Sequence, residues 1–277
     1  MAKVVRVCFA FDVDGRSLTE AKRRQGITMS PEMVKTLAED QSIMFDRVLD
    51  FFASTGLRQT FFVTGKVAED EPERMASALA AGHEIAFHGY SHMPLCHLSD
   101  AAEADEFDRT SDYFREKFGV RLLGMRAPSY SFGPRTPGNM RRSGMIYDSS
   151  AIDSVHPRFV PAGEAGYWEI PVRPEVDDWL HCVRLPELGY HAPIKSPDEV
   201  LAIYCDSFDR CYREAGCFVT VWHPFVTMSD RYRSVAPDLL HHIRQFDGVV
   251  FCTMQEIAAA CEADLIPACS AGAAGRM

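Results

Sequence analysis

The sequence predicts an α/β fold, an irregular (β/α)7-8 barrel with a core of parallel strands in a single domain. Two observations lead to this prediction. Short apolar runs rich in Val, Phe and Ile alternate with segments of helical periodicity, and no low-complexity linker or charge block marks a domain boundary. With 277 residues, 47% of them hydrophobic, the chain can bury one full core. We therefore expect residues 1–265 to form the barrel and residues 266–277, which are small and polar, to form a C-terminal tail.

The apolar runs have the length and composition of buried strands. In chain order they are residues 4–11, 58–64, 83–88, 122–128, 145–150, 167–172, 217–223 and 248–253. The segment 153–174 is punctuated by Pro and Gly and interrupts the alternation of strands and helices, so we expect the barrel to be irregular there.

Helical periodicity predicts three amphipathic helices, at residues 42–54, 99–119 and 197–215. The third has clear end signals. Ser196 and Glu199 have the spacing of a capping box, Pro197 suits the first turn, and Gly216 suits the exit.

The charge balance and the apolar pattern exclude several classes of partner. The chain has 29 Lys and Arg against 39 Asp and Glu, a net charge of -10, which disfavours a surface that binds nucleic acid. It has no run of about 18 apolar residues that could span a membrane. The N-terminal apolar run is interrupted by Arg6 and ends in acidic residues rather than at a cleavage site, so we expect a cytoplasmic protein.

Ionisable residues stand where the predicted strands end, at positions where packing alone would not require them. In a parallel barrel these ends meet at one rim, which is where the chemistry of such folds takes place. The residues are Asp12, Asp14, His88, His92, Arg126, Asp177, Asp178 and His223.

Two of these histidines predict a metal site. His88 and His92, together with a carboxylate from Asp12 or Asp14, form a common ligand set for one divalent ion. Zinc is the first choice, with cobalt, nickel and manganese as alternatives. The aspartate that does not bind the metal can act as a general base and His223 as a general acid in the hydrolysis of an amide.

The order of these motifs resembles that of the polysaccharide deacetylase family, also called carbohydrate esterase family 4 or the NodB homology domain. D-x-D, H-x-x-x-H, R-x-P, D-W and H-P follow one another between residues 12 and 224, so the resemblance covers most of the chain. It implies an irregular barrel and a metal-dependent hydrolase of carbon–nitrogen bonds other than peptide bonds.

The resemblance also implies roles for the metal-binding residues and the base. Asp12 would be the base, while Asp14, His88 and His92 would bind the metal. Arg126 would hold the carboxylate of Asp12 in an ion pair.

For the remaining residues the resemblance implies a second pair and a binding surface. Asp178, or its neighbour Asp177, would orient His223 and keep it protonated. The substrate-binding residues would be Tyr90, Ser129, Tyr130 and Trp179.

Two departures from the family pattern stand out. Val13 separates two aspartates that are usually adjacent, so the pattern leaves the choice of ligand open between Asp12 and Asp14. Ser129 replaces the aromatic residue that commonly follows the Pro of R-x-P. Together with the missing export signal, these features resemble a cytoplasmic branch that includes peptidoglycan deacetylase-like, allantoinase-like and cyclic imide hydrolase proteins. The expected substrate is therefore an N-acetylated sugar or a small cyclic amide or imide, and the segments 16–40 and 153–174 are expected to select it.

Two other functional classes are compatible with parts of the pattern. Two histidines and a carboxylate also form the metal site of non-haem iron oxygenases, although these enzymes do not require the pair of Asp12 and His223. A catalytically inactive carbohydrate-binding relative would have no use for a complete set of acid, base and metal ligands. We also expect a homo-oligomer, from the apolar residues near the C-terminus.

Overall fold

A computed structural model describes residues 3–163 and 165–265; the predicted tail, 266–277, lies outside the described residues. The strands are β1 (Val5–Cys8), β2 (Phe11–Val13), β3 (Thr60–Val63), β4 (Glu84–Phe87), β5 (Gly124–Met125), β6 (Tyr147–Asp148), β7 (Arg158–Ala162), β8 (Ala165–Glu169), β9 (Cys217–Val219) and β10 (Val249–Phe251). The helices are α1 (Gly15–Arg24), α2 (Pro31–Glu39), α3 (Phe45–Thr55), α4 (Gly65–Asp70), α5 (Pro72–Ala80), α6 (Asp100–Phe118), α7 (Thr136–Ser143), α8 (Trp179–Cys182), α9 (Pro197–Glu214), α10 (Pro224–Thr227), α11 (Val235–Ile243) and α12 (Met254–Leu265). In the described residues no helix has both the length and the apolar character needed to cross a bilayer.

The strands form two ladders. One has the order β2-β3-β4-β5-β6-β8-β7, in which only the pair β7 and β8 is antiparallel, and the other has β1 between β9 and β10 in parallel. An isolated parallel bridge from Trp222 to Phe11 of β2 connects the two ladders, and a second one joins Val221 to Asp177. The predicted α/β fold with a parallel-strand core in a single domain is thus confirmed. The irregularity expected in the segment 153–174 is the antiparallel pair of β7 and β8, which interrupts the parallel order of the strands there.

The first predicted strand is divided in two. The chain leaves the ladder of β9 and β10 after Cys8 and joins β3 from Phe11 onwards. Between them, the backbone N–H of Phe9 donates to Oε1 of Gln59 at 2.5 Å. A side-chain amide therefore replaces a strand partner where the chain passes from one ladder to the other, and no local sequence signal marks this point.

Side chains of β1 and β2 alternate between two apolar clusters, as expected for extended chains. Phe9 and Phe11 pack in the cluster that contains the apolar faces of the helices. Cys8 and Ala10 belong to the other cluster, which residues of several strands share with α12. Asp12 follows Cys8 and Ala10 in this alternation. Its carboxylate therefore lies on the same side as these two residues, at the carboxyl end of their cluster.

The predicted helices are present, with two local differences. α6 begins after the N-cap Ser99, and α9 has the predicted capping box. The predicted helix 42–54 starts as a π-helical turn, Asp40–Met44, before α3. At the end of α9 it is Ala215, with φ of 56°, that adopts the left-handed conformation. Gly216 is required for a different reason, since the Cβ of any other residue would lie only 2.6 Å from Cγ2 of Val155.

A buried carboxyl pair joins β6 to β8. Asp148 and Glu169 are partners in the parallel register, and both are almost inaccessible to solvent. Burial, together with the charge of Asp148, raises the pKa of Glu169 to about 10, and burial also raises the pKa of Asp148. The pair therefore retains a proton at neutral pH.

This pair should make stability fall as pH rises. Between about pH 4.5, the usual pKa of Glu, and about pH 10, the folded chain holds a proton that the unfolded chain has lost, so its stabilising effect is complete below this window and disappears through it. The slope is at most about 1.4 kcal/mol per pH unit. In urea unfolding at pH 6 and pH 9, Glu169→Gln should show a smaller loss of stability than the wild type. The exposed-site control Glu214→Gln should match the wild type, and equal pH dependence in all three proteins would contradict the shared proton.

Candidate active site

The predicted ionisable residues meet at the carboxyl ends of the strands, and all of them are buried. Asp12 lies in β2 and Asp14 directly precedes α1, while His88 follows β4 and Arg126 follows β5. The third histidine of the same stretch, His83, lies at the opposite end of β4. Its Nδ1 accepts a hydrogen bond from the backbone N–H of Gln59, so it does not belong to this group.

Asp14, His88 and His92 converge on one point. Oδ1 of Asp14 lies 3.3 Å from Nε2 of His88 and 3.2 Å from Nε2 of His92. Nδ1 of His88 is 2.8 Å from the carbonyl oxygen of Arg126, which as an acceptor places the ring proton on Nδ1 and leaves the lone pair of Nε2 free. Within the described residues Oδ1 of Asp14 has no hydrogen-bond partner although it is buried. This donor set fits a divalent ion.

The charges in this cluster favour an ionised Asp14. Although burial acts to raise the pKa of Asp14, the imidazoles of His92 and His88 hold it well below its usual value. Burial acts to lower the pKa of His88, but the carboxylates of Asp12 and Asp14 raise it. An ion-free cluster therefore attracts protons, and a bound cation would compete with them.

The loop that carries both histidines is held by Glu106 of α6. Oε2 of Glu106 accepts the backbone N–H groups of Tyr90 at 2.6 Å and Ser91 at 2.8 Å, and Oε1 accepts the Ser91 hydroxyl at 2.5 Å. Gly89 allows the turn with φ of 74°, and a Cβ there would lie 3.1 Å from the Pro128 ring. Sequence reasoning missed Glu106, because a single glutamate in an amphipathic helix gives no signal of a buried role.

Arg126 and Asp12 form a fully buried ion pair. Nη1 of Arg126 donates to Oδ1 of Asp12 at 2.5 Å, and Nε and Nη2 donate to the carbonyl and hydroxyl of Ser149 at 3.1 and 3.2 Å. Oδ2 of Asp12 lies 3.8 Å from Nε2 of His88. One oxygen of Asp12 is therefore fixed by the guanidinium, and the other faces the ligand cluster.

His223 is paired with Asp178 rather than with Asp177. Asp178 accepts from Nδ1 of His223 at 2.7 Å, from its backbone N–H at 2.8 Å and from the hydroxyl of Thr227 at 2.8 Å. Burial acts to lower the pKa of His223, but the charge and hydrogen bond of Asp178 and the charge of Asp14 raise it to about 10. The imidazole is therefore protonated at neutral pH, with Nε2 lying 3.8 Å from Oδ2 of Asp14.

Asp177 has a different neighbourhood. It accepts the hydroxyl of Tyr130 at 2.8 Å and the backbone N–H of Trp179 at 2.9 Å. Burial raises its pKa to about 6. Asp177, Asp178 and His223 also lie close enough to hold an ion. The carboxylate oxygens of Asp177 and Asp178 already accept hydrogen bonds, however, so this second set is less suited to a metal than the first.

A cavity of about 420 Å³ opens over these groups, within the size range of small-molecule sites. Three of the predicted substrate-binding residues, Ser129, Tyr130 and Trp179, line it. Ser129 and Tyr130 both have positive φ, 53° and 56°, a strained conformation that is typical of functional sites. The segment 16–40 contributes Leu18, Lys22 and Ile27 to the lining, and the segment 187–190 contributes Glu187, Leu188 and Tyr190. The described residues of the segment 153–174 do not take part.

Tyr90, the fourth predicted substrate-binding residue, does not line the cavity. Its hydroxyl donates to Oε2 of Glu69 at 2.8 Å, and the guanidinium of Arg109 lies 3.6 Å from the centre of its ring. The reason is the tight turn between the histidines, which directs the intervening side chain towards α4 and α6 while its N–H binds Glu106.

Comparison with known proteins finds similar chains over most of the sequence. The polysaccharide deacetylase profile matches residues 30–147. A peptidoglycan deacetylase of Helicobacter pylori is 25% identical over 285 residues, which cover 93% of this chain and 96% of that protein. The chain is thus similar to the polysaccharide deacetylase family over residues 30–147 and to this peptidoglycan deacetylase over nearly its whole length. Members of the family are hydrolases that act on amide carbon–nitrogen bonds.

Solved structures of the polysaccharide deacetylase fold superimpose on nearly the whole chain. A Mycobacterium smegmatis protein assigned to the polysaccharide deacetylases has a TM-score of 0.88 and 26% identity, covering 96% of this chain and 93% of its own. The allantoinase PuuE has a TM-score of 0.80 and 18% identity, covering 95% and 92%. The second likeness shows a common fold only.

Replacing Glu106 should weaken the binding of a divalent ion by Asp14, His88 and His92. Glu106→Gln removes the charge that orders the loop of His88 and His92, so we expect zinc affinity, measured by competition with a chelator, to fall about tenfold. Glu103→Gln is the matched control, since Glu103 is a buried residue of the same helix that accepts from Thr136 and Arg135 instead. Equal zinc affinity in the two variants would exclude this role of Glu106.

Proposed function

We propose that this protein is a member of the polysaccharide deacetylase family and a metal-dependent hydrolase of the N-deacetylase type. Asp14, His88 and His92 would hold one divalent ion, with zinc as the first choice. The observation that carries the proposal is the convergence of the unpartnered Asp14 oxygen with two Nε2 atoms, between the separately paired Asp12 and His223. Such an ion lowers the pKa of a coordinated water towards 7 and polarises an amide carbonyl.

Asp12 would act as the general base. Arg126 occupies one oxygen of the carboxylate and fixes its plane, so the oxygen that faces the ligand cluster can accept the proton of the attacking water. Ser129, in the cavity wall, offers a backbone N–H that could stabilise the negative charge on the carbonyl oxygen.

His223 would act as the general acid. Its Nδ1–H is fixed by Asp178, so Nε2, which faces the cavity, is the nitrogen that gives a proton to the departing amine. A pKa raised to about 10 keeps this proton in place at neutral pH. The sequence left the choice between Asp177 and Asp178 open, and the contacts of His223 support Asp178.

For the substrate we propose the amide of an N-acetylated sugar first and a small cyclic amide or imide second. The second candidate is favoured by one observation, since α1 and the segment 187–190 both border a cavity whose volume of about 420 Å³ suits a small molecule. Neither candidate changes the roles of Asp12 and His223, because both reactions involve attack of water on an amide carbonyl. A cytoplasmic location and a homo-oligomeric state stay predictions from the sequence.

The decisive experiment combines metal analysis with a substrate panel. Metal content would be measured in purified protein, and hydrolysis would be assayed on an N-acetylglucosamine oligomer, allantoin, hydantoin, succinimide and glutarimide, with and without chelator. Chelator-sensitive release of acetate is expected for the first candidate and ring opening for the second. Protein that neither contains nor binds a divalent ion and hydrolyses no amide would support an inactive binding relative instead, while oxygen uptake with bound iron would support an oxygenase.

Variants of the base and the acid should separate catalysis from metal binding. We expect Asp12→Asn to retain metal and to lose at least about 100-fold in turnover, because the amide cannot accept the proton of water. His223→Gln should also retain metal and should slow substrates with poor leaving groups most strongly. Simultaneous loss of metal and activity in Asp12→Asn would mean that Asp12 rather than Asp14 is the ligand.

A further inference from the structure

Asp40 connects two turns of the active site although it lies far from every catalytic motif in the sequence. It is the first residue of the π-helical turn Asp40–Met44 and is fully buried. Its Oδ2 accepts the backbone N–H of Gly15 at 2.9 Å, and its Oδ1 accepts the backbone N–H of Phe225 at 2.9 Å. Each oxygen therefore binds a different turn.

The first turn carries Asp14. Gly15 follows it directly with φ of 52°, and a Cβ at Gly15 would lie 2.8 Å from Cγ2 of Val67, so the backbone is tightly enclosed. The N–H of the next residue, Arg16, donates to Oε1 of Gln41 at 2.8 Å. Two consecutive residues of the π-helical turn thus hold the backbone that follows Asp14.

The second turn carries His223. Pro224 has no N–H, so the N–H of Phe225 is the first one available after His223 for a side-chain acceptor. The Phe225 ring packs edge-on against Trp179 with its centroid 5.6 Å away, which fixes this turn from the other side. The carboxylate of Asp40 therefore binds the backbone at two places. One is Gly15, directly after Asp14, and the other is Phe225, two residues after His223.

We infer that Asp40 is a positioning residue that sets the separation between Asp14 and His223, an inference that rests on the proposed function. These two side chains lie 3.8 Å apart, from Oδ2 of Asp14 to Nε2 of His223. The π-helical turn, closed by the N–H of Phe45 on the carbonyl of Asp40, places this carboxylate between the two turns. Asp40 itself does not line the cavity, so it acts through the backbone of its neighbours.

Asp40→Asn tests this role, because the amide has one oxygen and must present its NH2 group to one of the two N–H donors. We expect about tenfold weaker zinc affinity and at least about tenfold lower kcat on the best amide of the panel, with KM changed less than threefold. The low-field proton resonance of the bond between His223 and Asp178 should shift in the same variant. If Asp40→Asn does not fold, Asp40→Glu, which moves the carboxylate by one methylene, should show the same changes.

Glu84→Gln is the matched control. Glu84 is a buried carboxylate at the opposite end of β4, and it also holds several elements together, through Thr60, Tyr147 and the backbone N–H of Gln255. This control should lose stability but keep zinc affinity, kcat and the low-field resonance. If Asp40→Asn behaves like Glu84→Gln, Asp40 is merely structural and the inference is overturned. A wild type that binds zinc but hydrolyses no amide would refute the proposed function, and zinc affinity and the resonance would still decide the role of Asp40.

Discussion

The buried guanidinium of Arg126 is the constraint on which the arrangement of the barrel rim depends. A charge inside a protein is tolerated only with a counter-ion and complete hydrogen bonding, and loss of one partner typically costs about 3–5 kcal/mol. Arg126 is satisfied by Asp12 of β2, by Ser149 after β6 and by the carbonyl of Thr220 after β9, while its guanidinium lies 4.2 Å above the ring centre of Phe62 in β3. The strands must therefore end at fixed heights around one side chain.

The same residue connects the proposed base to the proposed metal ligands. The side chain of Arg126 fixes Asp12, and its carbonyl accepts the Nδ1 proton of His88. A small shift of β5 would thus disturb both groups together. His223 depends on a different support, since Asp178 accepts from its ring and its backbone. The site consists of two separately supported halves, and Asp14, the proposed metal ligand, lies between them.

The sequence indicates the groups that do chemistry better than the groups that hold them. Asp12, His88 and Arg126 stand at the ends of apolar runs, where the period of a parallel barrel brings them together, so their proximity was predictable. Tyr90 was predicted to bind substrate, but its side chain lies away from the cavity. The conformation of the turn between His88 and His92 depends on Glu106, which lies in a later helix. Local pattern also could not divide the first strand, because Gln59, some fifty residues away, takes over the bonding of Phe9. Contacts that join distant segments leave no periodic signal in the chain.

The π-helical turn between α2 and α3 also limits which insertions and deletions this part of the sequence can accept. Such a turn is equivalent to a helix with one extra residue, and an ordinary α-helix would result if one residue of 40–44 were deleted. Each residue of an α-helix turns the chain by about 100°, so this deletion would rotate α2 relative to α3 and move Asp40 away from both backbones it binds. The turn 40–44 therefore has a fixed length in this fold, because that length determines where Asp40 lies.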